Sequence, residues 1–312
     1  MVDDLDLMLE RWTGAGLITL EQARAIRSAE KREPASRTAP ALAEVIAYAG
    51  AVCVLGAVAV IASRMWPSLT EMAQLALLTV ATGLLWGGGW WARSDPNPVL
   101  QRLATFLWFL SAGGVGWVAD VVATDLWDLE NGYALLIGLS TSLYAGLLYL
   151  FRRTSLQQIA LFCGVGFLCA GASDVAGGND WFGLLLWVAG AVWLALTCVG
   201  IFTPRRTGFV LGALGVLGGA EAVVIDFFET PEGWGLALGL ISSAVLLYLS
   251  VTLGQMVLLG FGTGGLFLFL VQLIGEYLAA GLGGPLTLLV AGVALLGIAL
   301  VTVRLKNRVA TG

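Results

Sequence analysis

The residues with most chemistry to offer in this 312-residue chain are carboxylates set among apolar neighbours. Glu221 stands in Gly218-Gly219-Ala220-Glu221-Ala222-Val223-Val224, deep in a segment apolar enough to cross a bilayer. A charge at the bilayer centre costs at least about 2.5–3.5 kcal/mol on insertion scales, so such residues are usually paired or functional. No apolar segment interior supplies a Lys, Arg or His as its partner. The carboxyl must then be protonated, hydrated in a cavity, hydrogen-bonded to polar side chains or bound to a cation. Asp120, Asp226 and Glu276 end other Gly-rich segments, and Glu276 shares a helix face with Gln272 four residues earlier. Glu221, Asp120, Asp226, Glu276 and Gln272 are therefore the candidate substrate- or ion-binding set. Glu221 is its titrating group, and Asp120, Asp226 and Glu276 ring an outward vestibule that would attract cations. The plainer reading of Asp120, Asp174, Asp226 and Glu276 is that they mark the outer face of the membrane.

Other chemistry is excluded by what the chain lacks. There is no histidine, which removes His-based triads, H-E-x-x-H zinc sites and haem His ligation. A membrane aspartyl protease would place an Asp after a Gly-x-Gly, but Gly114-Val115-Gly116 is followed by Trp117. Phosphate-binding G-x-x-x-x-G-K-[ST] loops are absent. The four cysteines, Cys53, Cys163, Cys169 and Cys198, form no C-x-x-C pair and read as small apolar fillers. Neither an enzyme, a metal site nor a cofactor is expected. Sixteen basic against 21 acidic residues give a net charge of −5, which argues against a nucleic-acid partner.

The elements that must position these carboxylates are membrane helices. Hydrophobic residues make up 58% of the chain and charged ones 12%, about half the charged share of a soluble domain. A bilayer core of about 30 Å needs about 20 apolar residues per helix. Ten segments qualify: Leu42–Ala62, Glu71–Ala92, Val99–Val122, Gly132–Phe151, Leu156–Ser173, Trp181–Phe202, Thr207–Phe228, Gly233–Val251, Gln255–Tyr277 and Gly284–Val303. The expected fold is all-α and polytopic, ten transmembrane helices arranged as hairpins over residues 42–303, with the lipid bilayer as the chief partner. Fifteen of the 16 basic residues, all but Arg64, fall in the two termini and in alternate loops. The positive-inside rule then puts both termini in the cytoplasm.

Residues 1–33 read as a cytoplasmic helical hairpin rather than a targeting signal, because they lack an apolar core. Leu5, Met8, Leu9 and Trp12 share one helical stripe, Gly14-Ala15-Gly16 breaks the helix, and Thr19 with Gln22 forms a capping box for a second helix ending near Glu33. So small a hairpin has little core of its own. It is expected to dock on the bundle, on a second copy or on a cytoplasmic protein. Residues 34–41 form a linker, and residues 304–312 a basic cytoplasmic tail.

A period of about 49 residues runs through the later spans. Gly114–Gly116 is echoed by Gly164–Gly166, and more loosely by Gly215–Gly218 and Gly262–Gly264. The period covers two spans, so successive copies would be parallel two-helix repeats. Four G-x-x-x-G pairs, Gly83/Gly87, Gly215/Gly219, Gly235/Gly239 and Gly260/Gly264, fit close helix packing. Trp66, Trp127, Trp181 and Trp234 at one set of ends, with Trp90 and Trp91 at the other, form an aromatic belt.

The leader Trp12-Thr13-Gly14-Ala15-Gly16-Leu17-Ile18-Thr19-Leu20-Glu21-Gln22-Ala23, with Tyr48-Ala49-Gly50 and the later Arg64-Met65-Trp66-Pro67, resembles the Domain-of-Unknown-Function 2157 family of predicted bacterial membrane proteins. The resemblance covers about the first 90 residues. The family turn often reads Asn-Trp where this chain has Met65-Trp66, so no role of that Asn carries over. The resemblance implies a bacterial inner-membrane location and no particular activity. With ten spans and little mass outside them, the expected function is transport of a small molecule or ion, coupled to protons through Glu221. The alternative is a non-catalytic scaffold or sensor whose N-terminal hairpin binds a cytoplasmic partner.

Overall fold

The computed structural model describes residues 2–32, 53, 60, 64–129, 131–177, 181–226, 234–277 and 297. Every regular element among them is helical. The first and last expected spans, Leu42–Ala62 and Gly284–Val303, the linker and the basic tail lie almost wholly outside the described residues. The chain divides into two compact units, Met1–Thr70 and Glu71–Gly312.

In the first unit, α1 (Val2–Gly14) and α2 (Leu20–Arg32) pack on each other. The turn between them closes through Leu17 N–H to Trp12 O (3.0 Å), with Gly16 at φ +69°. The capping box is formed in both directions: Thr19 N–H donates to Gln22 Oε1 (2.9 Å) and Gln22 N–H to Thr19 Oγ1 (3.2 Å). Two first-turn backbone donors are thereby satisfied.

Among the described residues the second unit holds eight helices long and apolar enough to cross a membrane. They are α3 (Glu71–Arg93), α4 (Pro98–Val121), α5 (Tyr133–Phe151), α6 (Ser155–Val175), α7 (Phe182–Val199), α8 (Arg205–Asp226), α9 (Trp234–Leu253) and α10 (Met256–Tyr277). Local chemistry sets their ends. Asn97 Oδ1 accepts from Val99 N–H (3.0 Å) to cap α4, with Pro98 in its first turn where no donor is needed. Gly200, at φ +87°, stops α7 three residues short of the Phe202 expected from hydropathy. Beyond α4 the chain continues as a π-turn, Val122–Leu126.

Each consecutive pair forms an antiparallel hairpin: α3–α4, α5–α6, α7–α8 and α9–α10. The second helices also touch along the row, α4 with α6, α6 with α8 and α8 with α10. Lipid gives helices no hydrophobic reason to associate, so close van der Waals contact must hold them. Glycine provides it, at Gly114, Gly164 and Gly215 of the sequence period and, in the last unit, at Gly265, one residue past the Gly262–Gly264 of that period. Gly114, Gly164, Gly215 and Gly265 each seat on the partner helix of their own hairpin, at Thr82, Ser142, Gly190 and Ser243. Leu84, Leu150 and Val199 are 71–76% exposed, as lipid-facing side chains should be.

Tryptophan does two jobs here. Trp91, Trp127 and Trp181 are exposed near helix ends, in keeping with a belt. Trp108 and Trp193 are buried instead. Trp108 lies on Gly89 and donates its indole N–H to Trp86 O (3.3 Å), with the Arg93 guanidinium 5.9 Å from its ring centre. Trp193 stacks on Phe202 at 4.2 Å and meets Phe162 edge-on at 5.1 Å.

Candidate functional site

Glu221 and Gln272 meet between α8 and α10. Gln272 Nε2 donates to Glu221 Oε1 at 2.6 Å. Among the described residues, neither buried Glu221 Oε2 nor buried Gln272 Oε1 has a hydrogen-bond partner. On the same helices, Ala220 and Val224 of α8, Leu236 of α9 and Phe269 of α10 form a buried apolar cluster, bordered by Leu217 and Leu273. Helices α7, α9 and α10 contain no Lys or Arg. Those of α8, Arg205 and Arg206, stand at its opposite end, ~22 Å along the axis from Glu221. Glu221 is five residues from the end of α8, ~7.5 Å along the axis, so the pair sits toward the acidic end of the bundle.

This arrangement has two chemical readings. A proton on Glu221 Oε2 turns an orphaned acceptor into a donor and removes a charge from an apolar setting. Alternatively, carboxylate and amide oxygens are hard donors suited to a cation. In either case the partner of the carboxyl among the described residues is a neutral amide.

Asp120 does not join that pair. It is half-buried and lines a separate cavity of about 490 Å³ between α4, α5 and α6. Asp226 and Glu276 fall in the last turns of α8 and α10, the helices that carry Glu221 and Gln272. Their side chains lie outside the described residues. Asp174 has a structural task, its Oδ2 accepting from Gly132 N–H (2.8 Å) where α5 begins.

At the other end of the bundle the structure gathers polar groups that hydropathy alone passes over. Tyr149 Oη donates to Thr203 O (2.9 Å), Thr207 Oγ1 to Ser155 Oγ (2.8 Å) and Arg152 to Gln101 Oε1 (3.3 Å). Gln157 and Gln158 are fully buried. Gln157 Nε2 reaches Thr105 O (3.2 Å), whereas neither amide atom of Gln158 has a partner. The available signal was two adjacent glutamines one turn into an apolar segment, where an unpaired amide is costly. Among the described residues no three His, Cys, Asp or Glu converge on a metal site.

The geometry of α3 to α5 can now be set beside known proteins. Residues 10–156 match the family model of predicted membrane proteins, DUF2157. No curated protein and no solved structure matches the chain. The DUF2157 match runs beyond the leader and first hairpin, through α5 and into α6. Asp120, Tyr133 and Thr141 of the 490 Å³ cavity lie within it, whereas Glu221 and Gln272 lie beyond it.

Proposed function

We propose that this membrane protein is a transporter of a small molecule or ion, coupled to protons through Glu221, and not an enzyme. The observation that carries the reading is the half-satisfied Glu221–Gln272 pair: one bond at 2.6 Å, with a buried oxygen on each side chain left without a partner. A purely structural pair in hydrocarbon would be expected to satisfy both groups or to be replaced by apolar residues. A carboxyl that gains and loses a proton needs a partner able to tolerate both states. A neutral amide serves that purpose better than Arg or Lys, which would hold the carboxylate permanently ionised. In this reading the membrane is the bacterial inner membrane. The end bearing Arg152, Arg153, Arg205 and Arg206 faces the cytoplasm with both termini, following the distribution of basic residues.

The test uses full-length protein in proteoliposomes loaded with a pH-sensitive dye. Alkali cations, amino acids and organic cations are offered in turn against a preset pH gradient. Solute-driven proton movement is expected with the wild type and is lost in Glu221→Gln, which should elute as the same monodisperse species. Wild-type movement in Glu221→Gln overturns the role. A scaffold or sensor reading draws on one observation: Leu17 and Leu20, beside the α1–α2 turn, are 72% and 68% exposed, as a partner-binding surface would be. Deleting residues 1–40 separates the two, since transport survives the deletion and a scaffold's function does not.

A further inference from the structure

The cavity between α4, α5 and α6 lies apart from Glu221, and its lining has a consistent chemistry. Four aromatic side chains, Phe109, Trp117, Tyr133 and Phe167, border it. Asp120 and Tyr133 stand toward its acidic end, and Thr141 lies two turns deeper along α5, ~12 Å from Tyr133. Trp117 and Phe167 are 51% and 47% exposed, so the cavity opens sideways, toward the lipid. Thr141 is 7% exposed, and its buried Oγ1 has no hydrogen-bond partner. Gly116 brings α4 against that hydroxyl, since a Cβ there would come within 2.8 Å of it. Gly113, also on the lining, would meet nothing within 4 Å, so the space beside it is open.

Charge points to the kind of occupant. Helices α5 and α6 carry no Lys or Arg, and the one basic residue of α4, Arg102, is 18 residues before Asp120. Asp125 on the π-turn adds a second carboxyl near the same end. A lipid tail would use the apolar walls but not a carboxylate or a buried hydroxyl. An anion would be repelled. A cation with an apolar body uses all of it, because aromatic faces attract positive charge and gain strength where water is excluded.

We propose that this cavity is a second binding site, for a lipophilic organic cation that enters from the bilayer, lays its apolar body along the aromatic walls and sets its charge against Asp120. The hydroxyl of Thr141 is the one polar contact available at depth, which favours an occupant with an acceptor or a polarised C–H group there. The site is independent of the Glu221 reading. It can stand if that reading fails, and the reverse holds as well.

The test measures equilibrium binding of radiolabelled tetraphenylphosphonium to the full-length protein in phosphatidylcholine nanodiscs, with empty nanodiscs as the blank. Saturable binding at one site per chain is expected. Asp120→Asn should weaken it about tenfold or more, Gly113→Leu should fill the cavity and abolish it, and Glu71→Gln should leave it unchanged. Tetraphenylborate has the same shape and the opposite charge, so it should compete poorly. Wild-type affinity in Asp120→Asn, or equal competition by tetraphenylborate, would make the cavity a general apolar niche for lipid and overturn the proposal. If the variants fold poorly, the wild type supplies its own readout through Cys163, which lines the cavity. Tetraphenylphosphonium should slow N-ethylmaleimide modification of Cys163 and leave exposed Cys198 on α7 unaffected. No protection of Cys163 also overturns the proposal.

Discussion

In the two central hairpins, α5–α6 and α7–α8, most of the tightest glycine contacts seat one helix on the backbone of the other, although Gly208 and Gly212 sit on the Thr197 and Leu194 side chains. In the two flanking hairpins the tightest contacts are with side chains, although Gly262 also meets the backbone at Leu247. Gly138 faces the backbone at Leu168, Gly171 that at Leu135, Gly183 that at Val223 and Gly190 that at Val216. By contrast, Gly89 lies against Trp108, Gly114 against Thr82, Gly239 against Phe269 and Gly265 against Ser243. Backbone-on-backbone contact has no rotamer to adjust, whereas a side chain can swing away. The G-x-x-x-G pairs differ among themselves. Gly215 and Gly219 are filled against α7, and Gly235 and Gly239 of α9 meet Val223 and Phe269, whereas among the described residues Gly83/Gly87 of α3 and Gly260/Gly264 of α10 meet nothing within 4 Å. The comparison teaches that a stiff centre carries more adaptable flanks, and that both candidate sites lie on the seams between them. Glu221 of central α8 bonds Gln272 of flanking α10. Asp120 of flanking α4 shares a cavity with Thr141 of central α5.

The largest expected effect tests that stiffness directly. Gly171→Ala or Gly190→Ala would press a methyl group into a backbone amide of the facing helix. Overpacking of this kind costs about 1–3 kcal/mol and occasionally more, and the absence of a movable side chain puts these two at the upper end or past it. Gly83→Ala and Gly260→Ala meet nothing within 4 Å among the described residues and should be neutral or stabilising, since Ala exceeds Gly in helix propensity by about 0.8–1 kcal/mol. Thermal unfolding of the purified variants in one detergent decides the matter. Equal losses at all four positions would erase the distinction between centre and flanks.

A smaller effect probes the seam at Glu221. Gln272→Leu removes the one hydrogen bond that the described residues make to the carboxyl and leaves Oε2 and Oε1 both without a partner among them. The expected cost is about 1–3 kcal/mol. Changing both residues, in Glu221→Leu with Gln272→Leu, removes the unsatisfied group as well and should recover most of that loss. A double variant as unstable as the single one would show that the pair contributes nothing beyond packing.

How far these features were legible in the sequence follows from their range. The eight described spans begin and end within three residues of the expected positions, because hydropathy, Asn97 and Gly132 act locally. Glu221 and Gln272 were each visible as polar groups in apolar runs. Their bond was not, because it depends on α8 meeting α10 across the intervening α9 and on the rotation of both helices. A vestibule ring was expected from acids sharing one end of the bundle. Asp226 and Glu276 have side chains outside the described residues, and Asp120 lines a void bounded by three helices, a property of packing that no single segment encodes. Buried Trp108 and Trp193 escaped for a related reason, since a tryptophan in a lipid-facing belt and one in a core have the same local sequence surroundings.

The smallest effect separates two neighbours that composition cannot tell apart. Gln157 and Gln158 are both fully buried at the start of α6, yet only Gln157 crosses to the flanking hairpin, where its Nε2 donates to Thr105 O at 3.2 Å. Gln158 points within the central part, close to the Cβ position of Gly208, and neither of its amide atoms has a partner. Methionine has a similar length and asks for no hydrogen bond. Gln157 Oε1 is also unpartnered among the described residues, so Gln157→Met should cost at most about 1 kcal/mol, the net worth of the one hydrogen bond it loses. Gln158→Met should be neutral or stabilise by up to about 1 kcal/mol, because it removes the desolvation penalty of an unbonded amide. Thermal unfolding of the two variants side by side reads the difference. If Gln158→Met proves the more damaging, the amide is satisfied in a way its protein neighbours do not account for.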